Sequence, residues 1–165
     1  MSVSLSPSLS PSPGYEDYTK GDEAVLPLDD TDLVSYTAQE VLDVEFVDEA
    51  RVAQTATGQY AIHLYKQFST ATEENNECLI VWTGQTDSTN QVVLQIYNQV
   101  DAAWETLFTS PIEYGSSLAM YGSARGSYGG HLVDTDFVLS ASIPDLTEYK
   151  DSRGIVSCRI YQLET

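Results

Sequence analysis

Side chains able to exchange a proton near neutral pH are scarce in this sequence, whose histidines are His63 and His131. His63 falls at an outward position of an alternating segment, and His131 ends a glycine-rich stretch. Neither belongs to a His-Glu-x-x-His pattern, and no serine elbow or glycine-rich phosphate loop is present. The 25 Asp+Glu residues could supply two carboxylates for glycoside hydrolysis, but in so acidic a chain some pair always falls at a plausible spacing. No catalytic residue is expected. Cys78 and Cys158 are too few for a disulfide scaffold. They are expected to be free, buried thiols acting as small hydrophobes, with Cys158 sharing an inward face with Val156 and Ile160.

Binding chemistry has more candidates. Asp29, Asp30 and Asp32, and again Asp134 and Asp136, give the oxygen density that suits Ca²⁺, though acidic turn residues also cap backbone amides. The aromatic side chains Tyr65, Trp82, Tyr97 and Trp104 could stack on sugar rings. Between residues 113 and 131 the strand pattern lapses, and Tyr-Gly recurs at Tyr114, Tyr121 and Tyr128 with Arg125 among them. Rigid rings on a Gly/Ser backbone suit an interaction loop. The same composition also suits a disordered insertion.

Seven Lys+Arg against 25 Asp+Glu give a formal charge of −18. Such a surface repels phosphate backbones and anionic membranes, so neither nucleic acid nor membrane is an expected partner. The start has no basic segment followed by an apolar run, and no run reaches membrane-spanning length. If Met1 is the true start, the protein is expected to stay in a cytosol or to leave it on lysis.

The N-terminal segment has a strict period of two. Serine takes every even position from Ser2 to Ser12, while Val3, Leu5, Pro7, Leu9, Pro11 and Pro13 take the odd ones. Period two describes an extended chain with two faces, and the prolines forbid helix. A flexible Ser/Pro linker is the competing interpretation. Residues 1–21 are therefore expected to form an extended arm that docks on a partner through Val3, Leu5, Pro7, Leu9 and Pro11, with a turn-rich hinge over 14–21.

Residues 22–165 form the expected domain, with strands over 24–28, 42–46, 60–65, 78–82, 92–97, 104–108, 137–143 and 155–161. Tyr60, Ile62 and Leu64 should face inward, with His63 and Tyr65 outward, and 78–82 should be apolar on both faces. Helix is expected only over 37–42, with Thr37 as its cap. Short strands separated by polar turns predict an all-β, two-sheet antiparallel sandwich of jelly-roll type.

The blocks 92–98, 104–107, 134–137 and 157–162 (Val-Val-Leu-Gln-Ile-Tyr-Asn, Trp-Glu-Thr-Leu, Asp-Thr-Asp-Phe and Ser-Cys-Arg-Ile-Tyr-Gln) carry a resemblance. They resemble β-sandwich modules of phage structural and bacterial surface proteins, similar to galactose-binding-like jelly rolls and often preceded by Ser-Pro runs. The resemblance spans about residues 40–162 and implies a fold, with no catalytic motif. It also implies that a structural calcium is the one cofactor to look for. On this basis the chain is expected to be a non-enzymatic virion structural protein of a bacterial virus: a capsid-decorating, capsid-stabilising or appendage protein. Its expected partners are other copies of itself and a capsid or appendage protein. The alternative is a carbohydrate-binding module of a cell-surface or extracellular protein, with a glycan as partner.

Overall fold

The computed structural model describes residues 2–4, 16–45, 51–69, 76–88, 90–109 and 136–163. Among them run β1 (Ser2–Ser4), β2 (Glu16–Glu23), β3 (Val34–Ser35), α1 (Ala38–Glu45), β4 (Val52–Ala53), β5 (Tyr60–Phe68) and β6 (Cys78–Gln85), then β7 (Val92–Asn98), β8 (Ala103–Thr109), β9 (Phe137–Ile143) and β10 (Ile155–Leu163). The strands make two sheets, one ordered β4-β1-β6-β9 and the other β3-β2-β5-β10-β7-β8. The strand pairings are antiparallel. The expected all-β, two-sheet architecture is what these residues form.

Alternation in β10 explains how the two sheets close on each other. Val156, Cys158 and Ile160 project to one side, where the register sets Cys158 beside Tyr65 and Ile96, and Ile160 beside His63 and Leu94. The smaller sheet meets this row with Cys78, Ile80 and Trp82 from β6 and Phe137, Leu139 and Ile143 from β9. Directly opposed residues of an antiparallel pair share a face, so these rows interlock as one apolar core. Trp82 is sealed at 1% exposure. Cys78 and Cys158 are both free and buried in it.

Helix α1 covers the open side of this core beside β1 and β4. Thr37 caps it: Thr37 Oγ1 accepts the Glu40 N–H at 3.3 Å, and Glu40 Oε2 accepts the Thr37 N–H at 2.9 Å. That is the reciprocal capping box, which satisfies two otherwise orphaned donors. Val41 and Val44, three residues apart, then fall on the core side.

Several sequence expectations change. The hinge over 14–21 is strand from residue 16, because Tyr18 and Thr19 are buried and pair against Tyr65 and Leu64. Gly21, read as a turn former, lies in that strand beneath the Leu33 side chain. Of the strand expected over 42–46, residues 42–45 are helix, because the capping box at Thr37 carries α1 through Glu45, and Phe46 lies outside the described residues. Strand β6 is buried on one face only, with Leu79 44% exposed between Cys78 and Ile80.

The largest departure is on the outer face of the six-stranded sheet. Residues 24–28 form no strand. The segment 24–33 instead crosses that face as a strap, with Pro27 and Leu33 laid beside Ile62, Leu64, Trp104 and Arg159. Consequently β5 and β7 are buried on both faces over 61–65 and 92–98, and Val93, Gln95 and Tyr97 are covered on the outer face. The expected facing of β5 is reversed: Ile62 and Leu64 lie under the strap, while His63 and Tyr65 face the core beside Ile160 and Cys158.

Candidate functional site

Polar ties fasten the strap to the sheet. Arg159 donates through Nη1 to the Pro27 carbonyl at 2.7 Å, and through Nε to Gln95 Oε1 at 2.8 Å. Trp104 Nε1 donates to the Asp29 carbonyl at 3.1 Å. Ser157 Oγ donates to Asp30 Oδ2 at 2.6 Å, and Lys66 Nζ pairs with Asp32 at 2.7 Å. The Arg159 guanidinium also lies over the Trp104 and Tyr161 rings. Burial holds its pKa down to about 10, with the Tyr161 hydroxyl acting the other way. Among the described residues no ion pair involves Arg159; rings and neutral oxygens hold it.

These ties consume the expected calcium ligands. Asp29 Oδ1 accepts the Thr31 N–H at 3.1 Å, Asp30 accepts from Ser157 and from Gln99, and Asp32 faces Lys66. Asp136 pairs with Arg51 at 2.8 Å, and Asp134 lies outside the described residues. Among the described residues no three His, Cys, Asp or Glu side chains are grouped to hold a metal. Asp29 caps a turn, and Asp30, Asp32 and Asp136 act as ties.

The aromatic candidates divide. Tyr65, Trp82 and Tyr97 are 5%, 1% and 6% exposed, too covered for a sugar to stack on them. Trp104 remains half-buried, with Tyr97 edge-on at 5.1 Å and Arg159 across its ring. Tyr114, Tyr121, Arg125 and Tyr128 lie outside the described residues, as do Leu5, Pro7, Leu9 and Pro11.

A buried polar cluster sits at the α1 end of the core. Tyr36 hydrogen-bonds to His63 Nδ1, Tyr18 receives the amide of Gln67 at 2.9 Å, and the Tyr18 ring meets those of Tyr36 and Tyr65. Burial raises the Tyr36 pKa, and raises that of Tyr65 well above the phenol range. Among the described residues the Tyr65 hydroxyl and Trp82 Nε1 have no hydrogen-bond partner. A His–Tyr pair could pass a proton, but His63 is fully covered and Tyr36 is 8% exposed.

The remaining site is backbone. Strand β1 lies between β6 and β4, with Ser2 opposite Gln85 and Ala53, Val3 opposite Gly84 and Val52, and Ser4 opposite Thr83. Its register places position 3 in the row of Gly84 and Val52, as the Ser/apolar alternation requires. It docks, however, on a sheet of the domain itself.

No family model, curated protein or solved structure matches this chain. Sequence reasoning missed Arg159, Ser157 and Tyr36. The available signal was an arginine inside the apolar run of β10, which a buried strand tolerates only when the guanidinium is fully engaged.

Proposed function

We propose that this chain is a non-enzymatic structural module of a bacterial-virus particle, a capsid-decorating, capsid-stabilising or appendage protein of galactose-binding-like jelly-roll type. It is made in the host cytoplasm and attaches to a capsid or appendage protein, and to copies of itself, through its N-terminal segment. The observation that carries this reading is β1, a Ser/Val strand lodged between two other strands. Segments that bind by strand addition take affinity from main-chain hydrogen bonds and register from alternate side chains. The Ser/Pro alternation and the −18 charge support the same reading, since an acidic body needs an uncharged contact.

The test is copurification. The protein should travel with intact particles in fixed stoichiometry, and deletion of residues 2–13 should leave the domain folded but release it from them. A folded deletion variant that still attaches would overturn anchoring by this segment. A full-length protein absent from the particles would overturn the virion role. The carbohydrate-binding alternative now rests on Trp104 among the described residues, because the other three rings are buried.

A further inference from the structure

The β1 seat has properties that distinguish it from an ordinary strand contact. Among the described residues β4 pairs as a strand only with β1, so removing β1 leaves β4 held by α1 and by Val52 in the core and bares the edge of β6. An open edge with unpaired amides recruits another strand. The seat must be filled, and three residues fill it.

The residues paired in the seat are also uncharged, and Lys20, which donates to the Ala53 carbonyl at 3.3 Å, is itself paired with Glu40. Ser2, Val3 and Ser4 pair with Val52, Ala53, Thr83, Gly84 and Gln85, none of them charged, in a chain of net charge −18. Two such molecules repel over most of their surfaces, and an uncharged backbone contact is where they can meet at least cost. The connection is long. Eleven residues, 5–15, separate β1 from β2, and three of them are proline. Extended, that length reaches roughly 35–40 Å. The sheets of a sandwich are about 10 Å apart. That length is several times the separation of the two sheets.

The geometry points to strand exchange between copies: Ser2–Ser4 of one molecule occupies the β4–β6 seat of a second copy of this chain. The reciprocal or onward exchange links subunits through the pairs Ser2–Gln85, Val3–Gly84 and Ser4–Thr83. Exchange of an identical element conserves every contact of the closed form and adds no new interface to be optimised. This rests on the reading that the N-terminal segment anchors the protein, and it names the occupant of the seat.

Two full-length variants test it, Ser4→Cys and Thr83→Cys, purified separately, distinguished by mass and mixed under mild oxidation. Directly opposed residues in an antiparallel pair lie about 4.5–5.5 Å apart at Cα, within disulfide reach. Strand exchange predicts a disulfide-linked heterodimer as the main product. A bond that forms only when both substitutions are in one chain overturns the proposal, as does no bond in either arrangement. Ser2→Cys with Gln85→Cys repeats the measurement should the first pair disturb folding. A third full-length variant, Val3→Pro, removes a ladder donor from a central strand. It should sediment as a monomer where the parent associates, and unchanged association would overturn the proposal. All of these use the isolated protein, so their failure leaves attachment to particles to be judged separately by copurification.

Discussion

The guanidinium carbon of Arg159 lies 4.2 Å from the centre of the Trp104 ring, joining a central strand of the larger sheet to its edge strand beneath the strap. Arg159→Ala should cost about 3 kcal/mol, because it strands Gln95 Oε1 and the Pro27 carbonyl as well as removing the stack. Arg159→Lys should recover little, since an ammonium cannot reproduce the planar fork. Urea unfolding gives the cost. Acrylamide quenching should become easier at Trp104 in the alanine variant and stay slow at Trp82.

Neighbouring positions on β10 should respond alike to a new charge, contrary to what alternation alone suggests. Cys158→Asp puts a carboxylate into the core beside Val156 and Ile160, and Ser157→Asp sets one against Asp30 at a position 1% exposed. Each should cost several kcal/mol. Ser157→Ala, which removes only the tie to Asp30, should cost about 1 kcal/mol. Thermal midpoints of the three variants would rank them. Cys158→Asp and Ser157→Asp differing widely would mean that the strap does not cover Ser157.

Alkali should unfold the protein through its buried phenols. Below pH about 10 the tyrosines are protonated in both folded and unfolded chains. Burial raises the folded-state values of Tyr36 and Tyr65, so above that pH the unfolded chain releases protons that the native one retains. Stability should then fall with rising pH. Phenolate absorbance from these two residues should appear together with loss of the near-ultraviolet circular dichroism. The Cys78 thiol, pushed up to about 11 by burial, should resist thiol reagents at neutral pH, and Cys158 more so.

Two turns offer opposite backbone substitutions. Gly154 has φ of 84°, and an added Cβ would stand 3.1 Å from Phe68 Cε2, so Gly154→Ala should destabilise by about 1–3 kcal/mol. Ala102 has φ of 51° without being glycine. Ala102→Gly relieves about 1 kcal/mol of left-handed strain, offset in part by the entropy glycine adds to the unfolded chain. Denaturant midpoints should move down for the first variant and slightly up for the second.

Much of the strand pattern was legible because some segments alternate against a real inside and outside. Phe137–Ile143 is such a case, and its expected bounds match β9. The capping box at Thr37 was legible for a similar reason, being a local device with a local spacing. The outer face was not legible. Leu64, Ser157 and Arg159 are buried by residues up to 132 positions away in sequence, and no local pattern encodes a strap laid over a sheet. Alternation over 42–46 misled because Val44 also fits the helical spacing from Val41, and the cap decided between the two. The arm's period of two was legible as extended chain at Ser2–Ser4, but the sequence does not say which sheet receives it.

The position of β10 has a consequence for how the chain is made. β10 lies between β5 and β7, so the larger sheet cannot close until the last of the described strands has been synthesised. Until Ile155–Leu163 leaves the ribosome, β5 and β7 each lack a neighbour, and the strap has neither Arg159 nor Ser157 to hold it. Folding must therefore be largely post-translational, with a wait set by long-range pairing. A nascent chain stalled before residue 155 carries two bare edges and a half-covered core, which makes it a substrate for chaperones or proteases.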